Sequence, residues 1–155
     1  MNYFPYPPSA ENHYLADHAE LMNHSFQTLL GYPLLNSDNL AQDLFHAPFV
    51  LLSHNTEPDP IFNYANQQGL ELFELTWQEL IVLPSRKSAE AMNQEARNKI
   101  MAEVTKQGFT TGYNGVRISK TGKRFEIINA IIWNLIDKNG VYQGQAACFA
   151  EWRFL

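Results

Sequence analysis

Leu15, Ala19, Met22, Phe26 and Leu29 recur at alternating steps of four and three, the spacing that gathers side chains on one face of an α-helix. It predicts an amphipathic helix from Glu11 to the break at Gly31 and Pro33. Ahead of it, Pro5, Pro7 and Pro8 stand among aromatics, which predicts an extended arm. A second, short helix is expected over residues 39–45, capped by Ser37 or Asp38 and followed by Pro48. The period then shortens. The apolar run at 49–53 predicts a strand, NTEPDP at 55–60 a turn, and IFNYA at 61–65 a second strand rich in β-formers.

Helical spacing returns at 66–73, and Thr76 with Glu79 forms a capping-box pair for another short helix. Ser88 is placed to cap a long helix over 88–107, in which Met92, Ala96, Ile100 and Val104 lie four residues apart and Gly108 ends the run. Beyond Gly108, TTGYNGVRIS, RFEIINAIIWNLI and VYQGQAACFAEWRF read as strands joined by turns at KTGK and DKNG. Two strands, a helical crossover and a three-strand meander give an α+β fold. Its expected form is a five-stranded antiparallel sheet with helices on one face, plus an N-terminal helical extension.

With 155 residues, 45% of them hydrophobic, the chain can build one core and not comfortably two. Its net charge of −5, with no basic run longer than a pair, argues against nucleic acid as a partner. The N-terminal stretch has no signal-peptide pattern, and no apolar run approaches membrane length. No membrane partner is expected. A single cysteine, Cys148, fits a reducing compartment, and the expected location is cytoplasmic.

The blocks HNTEPDPIFNYAN, ELTWQEL, LPSRKSAEAMNQEAR, GVRIS followed by GKRF, and WNLIDKNGVYQGQAA together resemble the MEKHLA domain. This is a PAS-like family of small bacterial proteins, also found at the C-terminus of plant homeodomain-leucine zipper factors. The resemblance implies a PAS-like domain over residues 46–155 behind an arm and helical extension over 1–45. It implies a role in sensing or regulated association; an enzyme is not expected, because no nucleophile or metal pattern accompanies the polar residues. The homeodomain and zipper of the plant members are not among these residues, so DNA binding does not carry over.

PAS-like domains often hold a small molecule between sheet and helices, and each cofactor chemistry can be tested by residue type. His13, His18, His24, His46 and His54 all precede the main helices, which disfavours an axial haem ligand. Cys148 lies in the last strand and the helical side has no thiol, which excludes a flavin–thiol adduct but leaves a non-covalent cofactor open. The residues name no cofactor.

Phe62, Tyr64, Phe73, Trp77, Met92, Ile100, Tyr113, Asn129 and Trp133 are the candidate lining of a ligand space, or else of a closed core. Asn129, in an apolar strand, is the first choice for a ligand-facing amide. Asn63, Asn66, Arg86 and Arg117 are further polar candidates, the two arginines more readily read as surface residues. Small residues at Gly144, Ala146, Ala147 and Ala150 either leave room above the sheet or admit a close-packed helix.

No catalytic or metal site is expected. His54, Glu57 and Asp59 belong to a turn, and His13, Asp17, Glu20 and His24 form the polar stripe of the first helix. The partners expected are a small apolar or aromatic metabolite, or a non-covalent cofactor, and a second copy of the chain, with a ligand-free association module as the alternative. The apolar stripe of the first helix has two places to go, its own sheet or the matching helix of a homodimer.

Overall fold

The computed structural model describes residues 3–155. An N-terminal arm and a 3-10 turn lead into helices α1 (Ala16–Leu30) and α2 (Leu40–Phe45) and strands β1 (Val50–His54) and β2 (Phe62–Ala65). Short helices α3 (Gln67–Phe73) and α4 (Trp77–Leu80) precede the long α5 (Ala91–Gln107). Strands β3 (Phe109–Ile118), β4 (Arg124–Ile136), β5 (Tyr142–Phe149) and β6 (Glu151–Phe154) complete the chain. The antiparallel sheet has the order β2-β1-β5-β4-β3, with β6 paired to the first half of β4.

The sixth strand corrects the expected five. The last run is interrupted at Ala150, so β5 pairs with residues 131–136 of β4 and β6 with residues 125–128. The break lies opposite a bulge. Between the pairs Tyr113↔Ala130 and Gly115↔Ile127, one residue of β3, Asn114, faces two of β4, Ile128 and Asn129, and Asn129 takes a left-handed backbone with φ 57°. A bulge reverses the in–out alternation beyond it. Phe125 and Ile127 before the bulge therefore share a face with Ala130, Ile132 and Asn134 after it, and Trp133 turns to the opposite face.

That opposite face is covered by α1. Ala19, Met22 and Phe26 are fully buried there, and Phe26 meets the Trp133 ring edge-on at 4.9 Å. Trp133 Nε1 donates to Met22 O at 3.1 Å, while Ser25 Oγ both donates to Ile136 O and accepts from Ile136 N. The apolar stripe is thus buried against the chain's own sheet at Ala19, Met22 and Phe26, with Leu15 and Leu29 partly buried. The helix is also shorter than expected. His13, Tyr14 and Leu15 have positive φ, so α1 begins at Ala16 and His13 does not share its polar face.

The arm docks too: Phe4 O accepts from Trp77 Nε1 at 2.8 Å, and the Phe4 ring stacks edge-on against His18. Elsewhere the local signals hold. Asn66 caps α3, its side chain accepting from Gly69 N and Leu51 N and donating to Leu44 O and Phe49 O. Thr76 and Glu79 form the capping box of α4. Ser88 is displaced from its expected capping role into a 3-10 turn, and Glu90 precedes α5 instead.

His18, near the start of α1, reaches β1. Ser53 Oγ donates to Asn63 Oδ1 at 2.6 Å, so the 2.8 Å contact between His18 and Ser53 has His18 Nε2 as donor. Its Nδ1 is buried without a partner, and burial pushes the pKa down to about 4.

Two outcomes are expected. Phe26→Ala should cost about 3–5 kcal/mol in chemical denaturation, and Met22→Glu with Phe26→Glu should unfold the chain instead of yielding a folded monomer. His18 takes a proton more readily unfolded than folded, so stability is complete above about pH 6.5 and falls as pH drops toward 4, by about 3 kcal/mol at most. Burial lowers the His54 pKa as well, so it adds in the same direction. Denaturation at a series of pH values should show a shallower acid limb for His18→Gln.

Candidate functional site

The face of the sheet turned away from α1 is closed by α3 and α5, and between them lies a cavity of about 50 Å³. Its apolar wall is Leu52, Phe62, Phe73, Ile127, Ile132 and Phe149. The small residues Ala130 and Ala147 leave the space open over the middle of the sheet. The polar side is made by His54, Ser88, Arg97, Tyr113, Arg117 and Gln145. Among the described residues no Asp or Glu lines it.

Arg97 comes from the inward face of α5, where Arg97, Met101 and Val104 follow at steps of four and three. Its Nη2 donates to Ser85 Oγ and its Nη1 to Asn98 Oδ1. Burial, and then the Arg117 charge, hold its pKa down to about 10, which leaves it charged at neutral pH. Arg117 comes from β3, donating from Nη1 to Val116 O and from Nη2 to Tyr113 Oη at 3.2 Å. Its guanidinium carbon lies 5.6 Å from the Tyr113 ring centroid.

This contact depends on Gly115, midway between the two along β3. A Cβ there would collide with the Tyr113 hydroxyl and stand 2.7 Å from its ring Cζ. Glycine lets the tyrosine lie flat along the strand.

Gln145 is held by its amide nitrogen, which donates to Met101 O, Thr105 Oγ1 and Asn134 Oδ1. That pattern assigns the amide orientation. Asn134 in turn donates to Val104 O and Thr105 O, tying β4 and β5 to the end of α5. Gln145 Oε1 is buried and accepts no hydrogen bond of normal geometry; its ionisable neighbour is His54. His54 Nδ1 contacts Asn55 O at 3.0 Å. Burial lowers the His54 pKa, with the charge of Arg97 acting in the same direction. Gly144 has its own constraint: at φ 122° its α-carbon packs against His54 O, which a side chain would strike. Its smallness serves the close approach of β1 to β5.

The cavity brings together Phe62, Phe73 and Tyr113 of the nine residues expected to line a ligand space. The other six lie elsewhere. Trp133 is on the α1 face because of the bulge, and Tyr64 packs against His18 and Trp77. Met92 is 75% exposed and Ile100 half-buried, because α5 turns Arg97, Met101 and Val104 inward instead of the expected stripe. Asn129 is exposed, at a surface groove shared with Phe26, Tyr32, Leu34 and Cys148.

Among the other polar candidates, Asn66 has its side-chain groups satisfied by backbone, and Asn63 joins Ser53. Arg86 forms a surface ion pair with Asp59. Arg117, expected at the surface, is only 6% exposed. Arg97 was not among the candidates. Its one sequence signal is that it shares the four-and-three spacing with Met101 and Val104, set against a more conspicuous apolar stripe.

The MEKHLA domain family matches residues 16–154. The chain belongs to the MEKHLA domain family. The match takes in α1, in keeping with that helix being part of the same core as the sheet. Among relatives, the homeobox-leucine zipper protein REVOLUTA of Arabidopsis thaliana is 26% identical over 147 residues, 88% of this chain and 18% of that protein. HOX29 of rice (Oryza sativa) is 26% identical over 127 residues, 77% of this chain and 14% of its own length. The MEKHLA chain thus spans less than a fifth of either relative.

Solved structures share the fold. A PAS domain from Colwellia psychrerythraea superposes with a TM-score of 0.61 at 16% identity, covering 74% of this chain and 92% of the other. A light-oxygen-voltage domain studied with a flavin analogue gives 0.60 at 19%, covering 75% and 84%. The MEKHLA domain is PAS-like in architecture, and no described helix is long and apolar enough to cross a membrane.

Gly115→Ala tests the geometry of the polar side. The protein should stay folded by circular dichroism, since alanine suits a strand at least as well as glycine. Nuclear magnetic resonance should show the Tyr113 ring and Arg117 side-chain signals displaced, because the added methyl group pushes the phenol off the guanidinium.

Proposed function

We propose that this is a sensory domain whose cavity between the sheet and α5 takes a small molecule and whose occupancy regulates association. The carrying observation is the cavity itself: an apolar wall facing convergent polar groups, one of which, Gln145 Oε1, is buried without a hydrogen-bond partner. A buried acceptor of that kind is disfavoured unless something supplies a donor. In this reading residues 46–155 sense and residues 1–45 carry the response. The link is β1, where His54 faces the cavity and its neighbour Ser53 holds His18 of α1. A ligand that displaces β1 acts on both. A homodimer would serve as the output, through a surface other than the α1 stripe.

Size limits the ligand. A cavity of about 50 Å³ is well below the roughly 150 Å³ that accommodates benzene. The fused rings of a flavin, the group named for the light-oxygen-voltage neighbour, do not fit this space. Cys148 does not line it, and burial pushes its thiol up to about 12. The ligand proposed is therefore a small metabolite and not a photoreactive cofactor.

Native mass spectrometry of protein purified from its own host should show one reproducible small adduct. Ala130→Leu, which fills the cavity from β4, should remove it, and Cys148→Ala should leave it in place. A bare dimer, unaltered by Ala130→Leu, would favour a ligand-free association module instead.

A further inference from the structure

Arg97 and Arg117 come from different elements, α5 and β3, and each is 6% exposed. Both line the same cavity, which has no carboxylate in its wall among the described residues. The ion pairs of the described residues use Arg86, Lys120, Lys123, Arg124 and Arg153 on the surface, and neither cavity arginine. Their hydrogen-bond partners are neutral: Ser85, Asn98, the Val116 carbonyl and the Tyr113 hydroxyl. Asp59, a weak influence on Arg97, is itself exposed and paired with Arg86.

Two like charges facing one cavity in a protein interior oppose each other, and each has lost much of its hydration. A wall residue needed only for packing would be apolar. Retaining both guanidinium groups without an acid makes sense if the missing negative charge arrives from outside.

We propose that the cavity binds a small organic carboxylate, its anionic head between Arg97 and Arg117 and its carbon body against Phe62, Phe73 and Phe149. This rests on the sensory reading above and names the ligand class. A planar carboxylate matches the fork of a guanidinium and accepts from two at once. The aromatic wall favours a carbon substituent, which inorganic phosphate lacks. The volume of about 50 Å³ suits an anion of a few heavy atoms. A hydroxyl beside the carboxylate would give Gln145 Oε1, which otherwise has only the weak approach of His54, a hydrogen bond of normal geometry. Small 2-hydroxy acids therefore fit the polar side more fully than plain acids. Lactate has six heavy atoms, as many as benzene, so its body has to displace Met101, which is flexible and half-buried at the wall.

The test is calorimetric and thermal titration of the full chain with lactate, propionate, propionamide, inorganic phosphate and sodium chloride at matched ionic strength. Lactate and propionate should bind saturably and raise the melting temperature, lactate the more tightly, with propionamide and chloride inert. Arg97→Met and Arg117→Gln should each weaken lactate binding at least tenfold. Without ligand, Arg97→Met should melt no lower than the parent, because removing one of two like charges relieves repulsion; a purely structural arginine would lower it.

Equal binding of propionate and propionamide would overturn the anion assignment while leaving a ligand cavity. Tighter binding of phosphate than of lactate would overturn the carboxylate assignment. Absence of binding by any of the carboxylates would overturn it too, and the sensory reading would then stand or fall separately on the adduct found in protein from the host.

Discussion

The left-handed residue Asn129 in the middle of β4 decides what each face of the sheet can hold. An unbroken strand would put Phe125, Ile127, Asn129, Ile131 and Trp133 on one side. With the bulge, the second half of β4 is inverted, and its largest side chain, Trp133, is delivered to α1 while Ala130 and Ile132 face α5. The break at Ala150 between β5 and β6 lets the neighbouring strand bend with it. One face consequently packs tightly around Trp133, Phe26 and Met22. The other, floored by Ala130 and Ala147, keeps a void that the aromatics at its rim do not fill.

The two faces also differ in where their polar groups point. On the α1 side Ser25 brackets Ile136, Trp133 meets a helix carbonyl and His18 reaches Ser53, while His18 Nδ1, Asn63 Nδ2 and Tyr64 Oη are buried without a partner. On the α5 side they converge on a space. Cationic groups from a helix and a strand, an unpaired amide oxygen and an imidazole kept neutral by burial all face it. Strand β1 belongs to both sides at once, Ser53 to one and His54 to the other. Strand β4 joins the two sides as well, through Ile132 at the cavity and Trp133 at α1.

The elements were legible where local chemistry decides them. The Thr76–Glu79 capping box, the glycine stop at Gly108 and the two β-turns all form as the residue types require. The sites were legible only in part, because long-range geometry decides them. Strict alternation places Asn129 and Trp133 inward, and only a positive φ at Asn129 shows otherwise. Helical spacing in α5 admits two faces, and the one chosen by the fold carries a charge. The stripe Leu15 to Leu29 is equally apolar whether it meets a sheet or a second chain. Its partner is settled by where Trp133 points.

A crystal structure of the protein isolated from its own host, without added ligand, tests the central claim most directly. Planar electron density bridging the Arg97 and Arg117 guanidinium groups, with a carbon body directed at Phe62, Phe73 and Phe149, is the expected result. An empty or merely water-filled cavity, or a ligand seated on the Asn129 groove of the opposite face, would contradict it.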